Sequence, residues 1–153
     1  SFGTENISYI LSNTDSISHA ISKSDLVIGS VYVVGKEAPK VITKDMLKVM
    51  KPGSVLVDIS IDQGGCVETS RPTTHDDPIF IEDGVVHYCV TNMPGAVPLT
   101  ASLALNQATL PYIEKIADLG LSQALKEDLH LANGLNMANG IVKHDSVSAA
   151  LDN

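Results

Sequence analysis

The chain has 153 residues, of which 44% are hydrophobic and 18% are charged, so it can bury a core and is not mainly disordered. Its 18 acidic residues outnumber the 10 Lys and Arg residues and give a net charge of -8. Because this charge repels phosphate backbones and anionic lipid, we expect neither nucleic-acid binding nor membrane-surface binding.

The cysteine content and the hydropathy predict a soluble protein of the cytoplasm. Cys66 and Cys89 are too few for a disulfide framework and form no C-x-x-C pair. No signal peptide is visible, so we predict reduced thiols and a cytoplasmic location. The longest apolar stretch, residues 26–34, has about half of the ~20 residues that a membrane-spanning helix needs.

Strand and helix patterns alternate through the first part of the chain. Residues 7–11 are β-branched and aromatic and predict a strand, and Thr14 with Asp15 predicts the start of a helix. The nearly continuous apolar run 26–31 predicts a strand covered on both faces. The next predicted elements are a helix from Thr43 to residues 51–53 and strands over 55–61 and 85–90.

This alternation predicts an α/β fold with a parallel sheet. In such sheets, ligands bind beyond the carboxyl ends of the strands. Three predicted strands are followed by residues 31–32, 62–65 and 91–94, which we expect to lie side by side along one crevice.

The composition changes after Pro98. Residues 99–119 are apolar on nearly every helical face, which predicts a helix buried between domains or between subunits. Pro111 is expected to kink or divide this helix, and Gly120 to end it. Weaker helical signals follow over 122–153, with turns at Asn133-Gly134 and Asn139-Gly140.

Asp62 is the strongest single candidate for catalysis. It follows a predicted buried strand and precedes two glycines, Gly64 and Gly65, that allow a close approach of the backbone to a ligand. A partly desolvated carboxylate there could accept a proton, or hold water or ammonium. The alternative is an Asp that caps the next turn, and the local sequence alone favours it. Asp58 lies inside the strand, where we expect it to bond backbone or to face a helix terminus.

Arg71 is the chain's single arginine and lies in a polar loop with several hydroxyl residues, so it could contact a phosphate or a ribose. Its local sequence alone favours an ordinary surface arginine. Cys66 has no partner pattern for a nucleophile and is interpreted as a small buried thiol.

Metal binding and a phosphate loop are not predicted. His75, Asp76 and Asp77 lack the spacing of metal ligands on a helix. His87 and Cys89 are two residues apart in a predicted strand, which places both on one strand face without indicating a metal site. The sequence has no G-x-G-x-x-G and no Walker A motif.

Several long runs resemble the alanine dehydrogenase family, including Asp-Ile-Ser-Ile-Asp-Gln-Gly-Gly-Cys at 58–66. Similar runs cover residues 24–31, 36–43, 50–57, 70–75 and 86–98, so the resemblance extends over essentially the whole chain. In the related domain of proton-translocating transhydrogenases, Glu stands at the position of Asp62. Asp62 and the 70–75 run therefore favour the dehydrogenase branch.

The resemblance implies an enzyme of amino-acid metabolism that interconverts L-alanine with pyruvate and ammonium and exchanges a hydride with NAD. Residues 1–95 would form the later half of an NAD-binding Rossmann domain, with a partial, doubly wound parallel sheet. Residues 96–153 would be a mainly helical return segment of the substrate domain. Such enzymes usually assemble as hexamers.

The resemblance also implies the site residues. Asp62 would be the catalytic carboxylate beside the nicotinamide, and Ser12, Val31 and Tyr32 would line the adenosine side. The rest of the cofactor would contact Ile59, Ser60, Ile61, Asp62, Arg71, Val90, Thr91, Asn92 and Met93.

The family's substrate-binding Arg and Lys, catalytic His, glycine-rich loop and ribose-binding acid all precede the start of this sequence. We therefore expect the carboxyl-terminal part of an alanine dehydrogenase, inactive without its amino-terminal half. The alternative is a non-catalytic remnant or oligomerisation module with at most weak nucleotide binding.

The usual strand order of the fold, 3-2-1-4-5-6, makes residues 7–11 strand 3 and residues 26–31 strand 4. The two strands between them would be absent, which would leave an unpaired apolar edge. We expect the isolated chain to self-associate through that edge, or its first segment to detach or pair elsewhere.

Overall fold

The computed structural model describes residues 6–34 and 36–151. The chain divides into two compact units, of which one ends at Met93 and the other begins at Pro94. A four-stranded sheet organises the first unit, and helices dominate the second. The assignment of these units to an NAD-binding and a substrate domain stays a prediction.

Helices and strands alternate in the first unit, although the helix after Thr43 ends at Leu47 and not at residues 51–53 as predicted. In chain order they are α1 (Thr14–Lys23), β1 (Leu26–Gly29), α2 (Lys44–Leu47), β2 (Val55–Asp58), a 3-10 helix (Ile59–Gln63), β3 (Ile79–Glu82) and β4 (Val85–Tyr88). A further 3-10 helix covers Met93–Ala96.

The sheet has the order β1-β2-β4-β3, in which β1, β2 and β4 are parallel and β3 is antiparallel to β4. Gly29 at the end of β1 pairs with Asp58, and Val57 pairs with Tyr88 at the end of β4. The carboxyl ends of the three parallel strands therefore lie at one edge. The predicted α/β class with a mainly parallel sheet is confirmed.

The predicted strand over residues 7–11 is wrong. These residues form no strand, and their side chains are exposed, with Tyr9 92% and Leu11 86% accessible. In the part of the chain that the structure describes, β1 pairs with β2 alone and the segment pairs with no strand, so its backbone lacks a sheet partner. A strand-like sequence alone does not offset the cost of ordering an unpaired segment.

The other strands of the four-stranded sheet are shorter than expected, and one strand of this sheet was not predicted. The predicted strands over 26–31, 55–61 and 85–90 end at Gly29, Asp58 and Tyr88. The strand that was not predicted is β3, which pairs with β4 through a turn at Asp83-Gly84, where both residues have positive φ. An Asp-Gly pair between two apolar runs is the usual signal for such a hairpin. Two short strands of the second unit were not predicted either.

Helix α1 begins with a reciprocal cap. The Asn13 side chain accepts a hydrogen bond from the backbone N–H of Ser16 at 2.9 Å, and the Ser16 hydroxyl accepts one from the N–H of Asn13 at 3.0 Å. The predicted helix is confirmed, with its cap one residue before Thr14. Ile21 on its buried face joins the core.

The core of the first unit lies between the sheet and the two helices. Leu56 on β2 and Val85 on β4 are fully buried, and Met46 and Leu47 of α2 pack into the same cluster. The predicted cap at Thr43 is confirmed as the residue that precedes α2, although its side chain makes no capping bond.

The second unit contains α3 (Pro98–Leu119), α4 (Leu121–Glu127), α5 (Leu129–Asn133), β5 (Met137–Ala138), β6 (Ile141–Val142) and α6 (Asp145–Leu151). Helix α3 runs through Pro111 without a break, so the expected division at that residue is wrong. A proline removes one backbone hydrogen bond, and the long helical flanks of α3 continue on both sides of it. The turn at Asn139-Gly140 is confirmed between β5 and β6.

Helix α3 keeps many apolar side chains exposed. None of its residues is buried, and Leu103, Leu105 and Ile113 are each more than half accessible. Helices α3, α4 and α5 also line an apolar groove of about 490 Å³. The burial of α3 between domains or subunits stays a prediction.

Candidate functional site

Residues that follow two neighbouring parallel strands are joined by hydrogen bonds at the carboxyl edge of the sheet. The Ser60 hydroxyl donates to the carbonyl oxygen of Val31 at 2.9 Å and accepts the N–H of Val31 at 2.8 Å. Ser60 is buried, so this paired contact fixes the segment after β1 against the segment after β2.

A second contact joins the segment after β2 to the segment after β4. The backbone N–H of Asn92 donates to both carboxylate oxygens of Asp62, at 3.2 Å and 3.3 Å. Asn92 has a φ of 51°, a left-handed conformation in the turn that follows β4. The crevice expected from the sequence therefore brings residues 31, 60, 62 and 92 together.

Asp62 lies in the 3-10 helix that directly follows β2, and its side chain is accessible to solvent. Gly64, with a φ of 87°, ends this helix and turns the chain back toward the core. The carboxylate is thus held by a backbone donor and remains open to a ligand.

Asp58 is the buried anchor beneath this site. Its carboxylate accepts from the backbone N–H groups of Ser60 at 3.0 Å, Cys66 at 2.9 Å and Val67 at 3.2 Å, and from the Ser70 hydroxyl at 2.7 Å. Asp58 is fully buried. The expectation that Asp58 bonds backbone is confirmed, and these bonds organise the loop that carries Asp62.

A strap of residues 38–42 holds the same loop from outside. The N–H of Ala38 donates to the carbonyl of Gln63, and the N–H of Val41 donates to that of Cys66, both at 2.8 Å. The Lys40 ammonium donates to the carbonyls of Gly64 and Gly65. The position of Asp62 therefore depends on this strap as well as on β2.

The two cysteines are structural. Burial raises the pKa of the Cys66 thiol to about 11, with the neighbouring Asp58 carboxylate as the next cause. Burial also raises the pKa of Cys89. Both side chains are fully buried, so the interpretation of Cys66 as a small buried thiol is confirmed.

Arg71 makes an aromatic contact at β3, the edge strand farthest from β1. Its guanidinium lies 4.1 Å from the centre of the Phe80 ring, which stacks at 4.8 Å on His87. His87 is buried, and its Nδ1 and Nε2 contact the Val85 carbonyl at 3.0 Å and the Thr69 hydroxyl at 2.9 Å.

The structure does not connect every expected site residue. Within the described residues, Ser12 and Arg71 make no hydrogen bond to Val31, Ser60, Asp62 or Asn92. Ser12 is exposed in the segment before α1. Tyr32 is exposed beside Val31, whereas Val90 is fully buried behind the edge.

Sequence reasoning missed two contributors to this edge, Lys40 and His75. His75 was considered only as a metal ligand, but its Nε2 lies 3.2 Å from the carbonyl oxygen of Asn92. The sequence alone does not show that residues 73–75 run alongside residues 89–91. That pairing depends on a long-range bridge between Thr73 and Val90.

The described residues contain neither a membrane-spanning helix nor a metal-binding cluster. No helix there is long and apolar enough to cross a membrane. No group of three or more His, Cys, Asp or Glu side chains in residues 6–34 and 36–151 is arranged to hold a metal ion.

The residues at this edge occupy the position where open α/β sheets bind ligands. Dinucleotides bind beyond the carboxyl ends of parallel strands, where Asp62 and Asn92 are both exposed. The Asn92 side-chain amide makes no hydrogen bond to the described residues, so it is available to a polar ligand group.

The sequence profile of one protein family, described as alanine dehydrogenase/PNT, C-terminal domain, matches residues 1–145. An alanine dehydrogenase of Halomonas elongata is 55% identical over 141 residues, which cover 92% of this chain and 38% of the relative. One of Staphylococcus haemolyticus is 52% identical over 145 residues, covering 94% and 39%. The chain thus spans about two fifths of the length of these curated relatives.

Solved structures give the same picture. An L-alanine dehydrogenase matches with a TM-score of 0.77 and 48% identity over 92% of this chain and 39% of that one. A transhydrogenase from Sinorhizobium meliloti matches with a TM-score of 0.65 and 26% identity over 86% of this chain and 35% of that one.

Proposed function

The chain belongs to the alanine dehydrogenase/PNT C-terminal domain family, and we propose that it is the carboxyl-terminal part of an NAD-dependent L-alanine dehydrogenase. The complete enzyme would convert L-alanine, NAD and water to pyruvate, ammonium, NADH and a proton, and would run in both directions. Relatives with this name that are 52% and 55% identical support the proposal.

The contact between Asp62 and Asn92 is the observation that carries the proposal. It holds an accessible carboxylate at the carboxyl edge of the sheet, and in the proposal the nicotinamide lies beside this carboxylate. NAD, when bound, accepts the hydride from the substrate carbon. The Asp62 carboxylate would hold water or ammonia beside that carbon and accept a proton as the imine is hydrolysed.

The other residues would hold the dinucleotide. Val31 and Tyr32 would line its adenosine side, together with Ser12. The remaining contacts would come from Ile59, Ser60, Ile61, Arg71, Val90, Thr91, Asn92 and Met93. Arg71 would need to reach the cofactor from its place over the Phe80 ring.

We expect the chain to be inactive alone. A dinucleotide pyrophosphate normally binds a glycine-rich loop at a helix N-terminus, and this sequence carries no such loop. The amino-terminal half of the enzyme would supply it, together with the substrate pocket. The complete enzyme would be a cytoplasmic homo-oligomer, and a hexamer by family resemblance.

The exposed apolar side chains of α3 favour a second candidate, a non-catalytic oligomerisation module. Leu103, Leu105 and Ile113 present apolar surface that proteins normally cover. Such a module would bind nucleotide weakly or not at all. The two candidates differ in what Asp62 and Asn92 do when the missing half is supplied.

An NADH fluorescence titration tests the proposal. The chain is titrated alone and then mixed with the amino-terminal half of the enzyme, with circular dichroism to verify that both pieces are folded. Saturable NADH binding after mixing, with NADH oxidation that depends on pyruvate and ammonium, supports the proposed alanine dehydrogenase. Folded pieces that show neither binding nor turnover support the module.

A further inference from the structure

His75 lies one hydrogen bond away from the contact between Asp62 and Asn92. Its Nε2 is 3.2 Å from the backbone carbonyl oxygen of Asn92, whose N–H donates to the Asp62 carboxylate. We infer that His75 is a positioning residue, which holds the Asn92 backbone so that its N–H remains aimed at Asp62. The contact itself is independent of the proposed function, whereas its effect on turnover rests on that function.

The backbone places His75 there without help from its own side chain. Thr73 forms a parallel bridge with Val90, in which the N–H of Thr73 donates to the Cys89 carbonyl at 2.9 Å. The N–H of Thr91 donates in turn to the Thr73 carbonyl at 3.2 Å. This ladder runs residues 73–75 alongside 89–91, so His75 and Asn92 meet just beyond it.

A turn then fixes the direction of the chain after His75. The Thr74 hydroxyl accepts the N–H of Asp77 at 3.2 Å, and the Thr73 hydroxyl donates to the Pro78 carbonyl at 3.0 Å. The imidazole is therefore carried by a braced turn, and its contact with Asn92 follows from that geometry.

The chemistry of the contact specifies a donor. A carbonyl oxygen only accepts, so Nε2 of His75 must carry a proton. Asn92 has a φ of 51°, in the left-handed region that Asn adopts more readily than most residues, and a bond to its carbonyl helps to hold that conformation. The carbonyl lies in the peptide plane after the Asn92 Cα and the N–H in the plane before it, so a fixed carbonyl restrains the φ and ψ through which the N–H is held toward Asp62.

Three variants separate this role from a general structural one. His75→Leu removes the donor, whereas His75→Gln keeps an N–H at the position of Nε2. Asp76→Ala is the matched control, because Asp76 is an exposed neighbour on the same turn. Since His75 is exposed as well, these substitutions leave the core unchanged.

The first readout is the rate at which the backbone N–H of Asn92 exchanges its hydrogen with water. It is measured in this chain by nuclear magnetic resonance, without nucleotide. We expect exchange to be about fivefold faster in His75→Leu, the factor that corresponds to one hydrogen bond. His75→Gln and Asp76→Ala are expected to keep the wild-type rate. Unchanged exchange in His75→Leu, or failure of His75→Gln to restore it, would overturn the inference.

The second readout is steady-state kinetics of the complete enzyme with the same three variants. We expect His75→Leu to lower kcat about fivefold or more, with KM for NADH within twofold of wild type. A normal kcat beside faster exchange would overturn the positioning role in catalysis. An inactive wild-type enzyme would contradict the proposed function instead, and the exchange rates would still decide the contact.

Discussion

The backbone N–H of Asn92 bridges both oxygens of the Asp62 carboxylate, although 29 residues separate the two positions in sequence. Asp62 follows β2 and Asn92 follows β4, so the contact exists only because these strands are parallel neighbours. The carboxylate is oriented by a main-chain group, which only a substitution by proline would remove from residue 92. Its role can therefore be tested at Asp62 itself.

Asp62→Asn is expected to abolish turnover in the complete enzyme while NADH binding stays largely intact. The amide keeps an oxygen for the Asn92 N–H but can no longer accept a proton, and loss of a general base costs about 100-fold or more. Steady-state kinetics and an NADH titration of the same preparation measure the two effects. Near-normal turnover would show that Asp62 is not the catalytic carboxylate.

Asp58→Asn is expected to destabilise the first unit by about 3 kcal/mol, since an amide turns its NH₂ group toward buried donors that need an acceptor. Asp25→Asn is the matched control, because Asp25 is exposed and its ion pair with Lys51 at 2.6 Å is worth less than about 1 kcal/mol. Urea unfolding measures both changes. Equal, small effects would contradict an anchoring role for Asp58.

Gly29→Ala is expected to lower the free energy of unfolding by about 1–3 kcal/mol, the usual penalty for overpacking a core. A Cβ at residue 29 would lie 2.5 Å from the Cys66 sulfur. This sulfur is held by a contact of 3.4 Å with the Asp58 carboxylate. The same substitution in a Cys66→Ala background should cost much less, because the sulfur is gone. An identical cost in both backgrounds, measured by urea unfolding, would rule out this clash.

The raised pKa of Cys66, about 11 against an ordinary 9.0, predicts an inert thiol at neutral pH. Iodoacetamide at pH 8 should leave Cys66 and Cys89 unmodified in the folded chain and label both after denaturation. Because the folded state holds the Cys66 proton more tightly, its contribution to stability is complete below pH 9.0 and is lost as the pH rises toward 11. Rapid labelling of the native chain would contradict the burial of the thiols.

The isolated chain is expected to self-associate through β1, whose outer edge has no partner among the described strands. Ile28 on β1 is 58% accessible, so Ile28→Lys should shift the chain toward monomer in light scattering after gel filtration. Ile81→Lys on β3 is the control, because Ile81 is 67% accessible at the opposite edge of the sheet. A monomeric wild-type chain, or equal effects of both variants, would contradict association through β1.

The apolar runs of β1, β2 and β4 were sufficient to predict the parallel sheet and the edge at which Asp62 lies. Strand length was not predictable in the same way. Residues 59–61 look like a continuation of β2, but the Asp58 side chain accepts the Ser60 N–H and diverts the chain into a 3-10 helix. That choice is set by burial of Asp58, which depends on residues as distant as Ser70.

The wrong prediction of a strand over residues 7–11 shows that composition alone does not determine a strand. The composition of this segment favours a strand, but a strand also needs a neighbour, and β1 forms its ladder with β2 alone in the described chain. Likewise, the proximity of His75 to Asn92 depends on the bridge between Thr73 and Val90. Local patterns therefore predicted elements, whereas these contacts depended on which elements became neighbours.

The strap of residues 38–42 also limits how the length of the chain can vary. Ala38 and Val41 are bound in register to Gln63 and Cys66, and Ile42 bridges Val67. An insertion or deletion inside the strap would force one of these pairings to slip and would displace the loop that carries Asp62. Related chains that keep a working Asp62 should therefore vary in length elsewhere and preserve the residue count of this short segment.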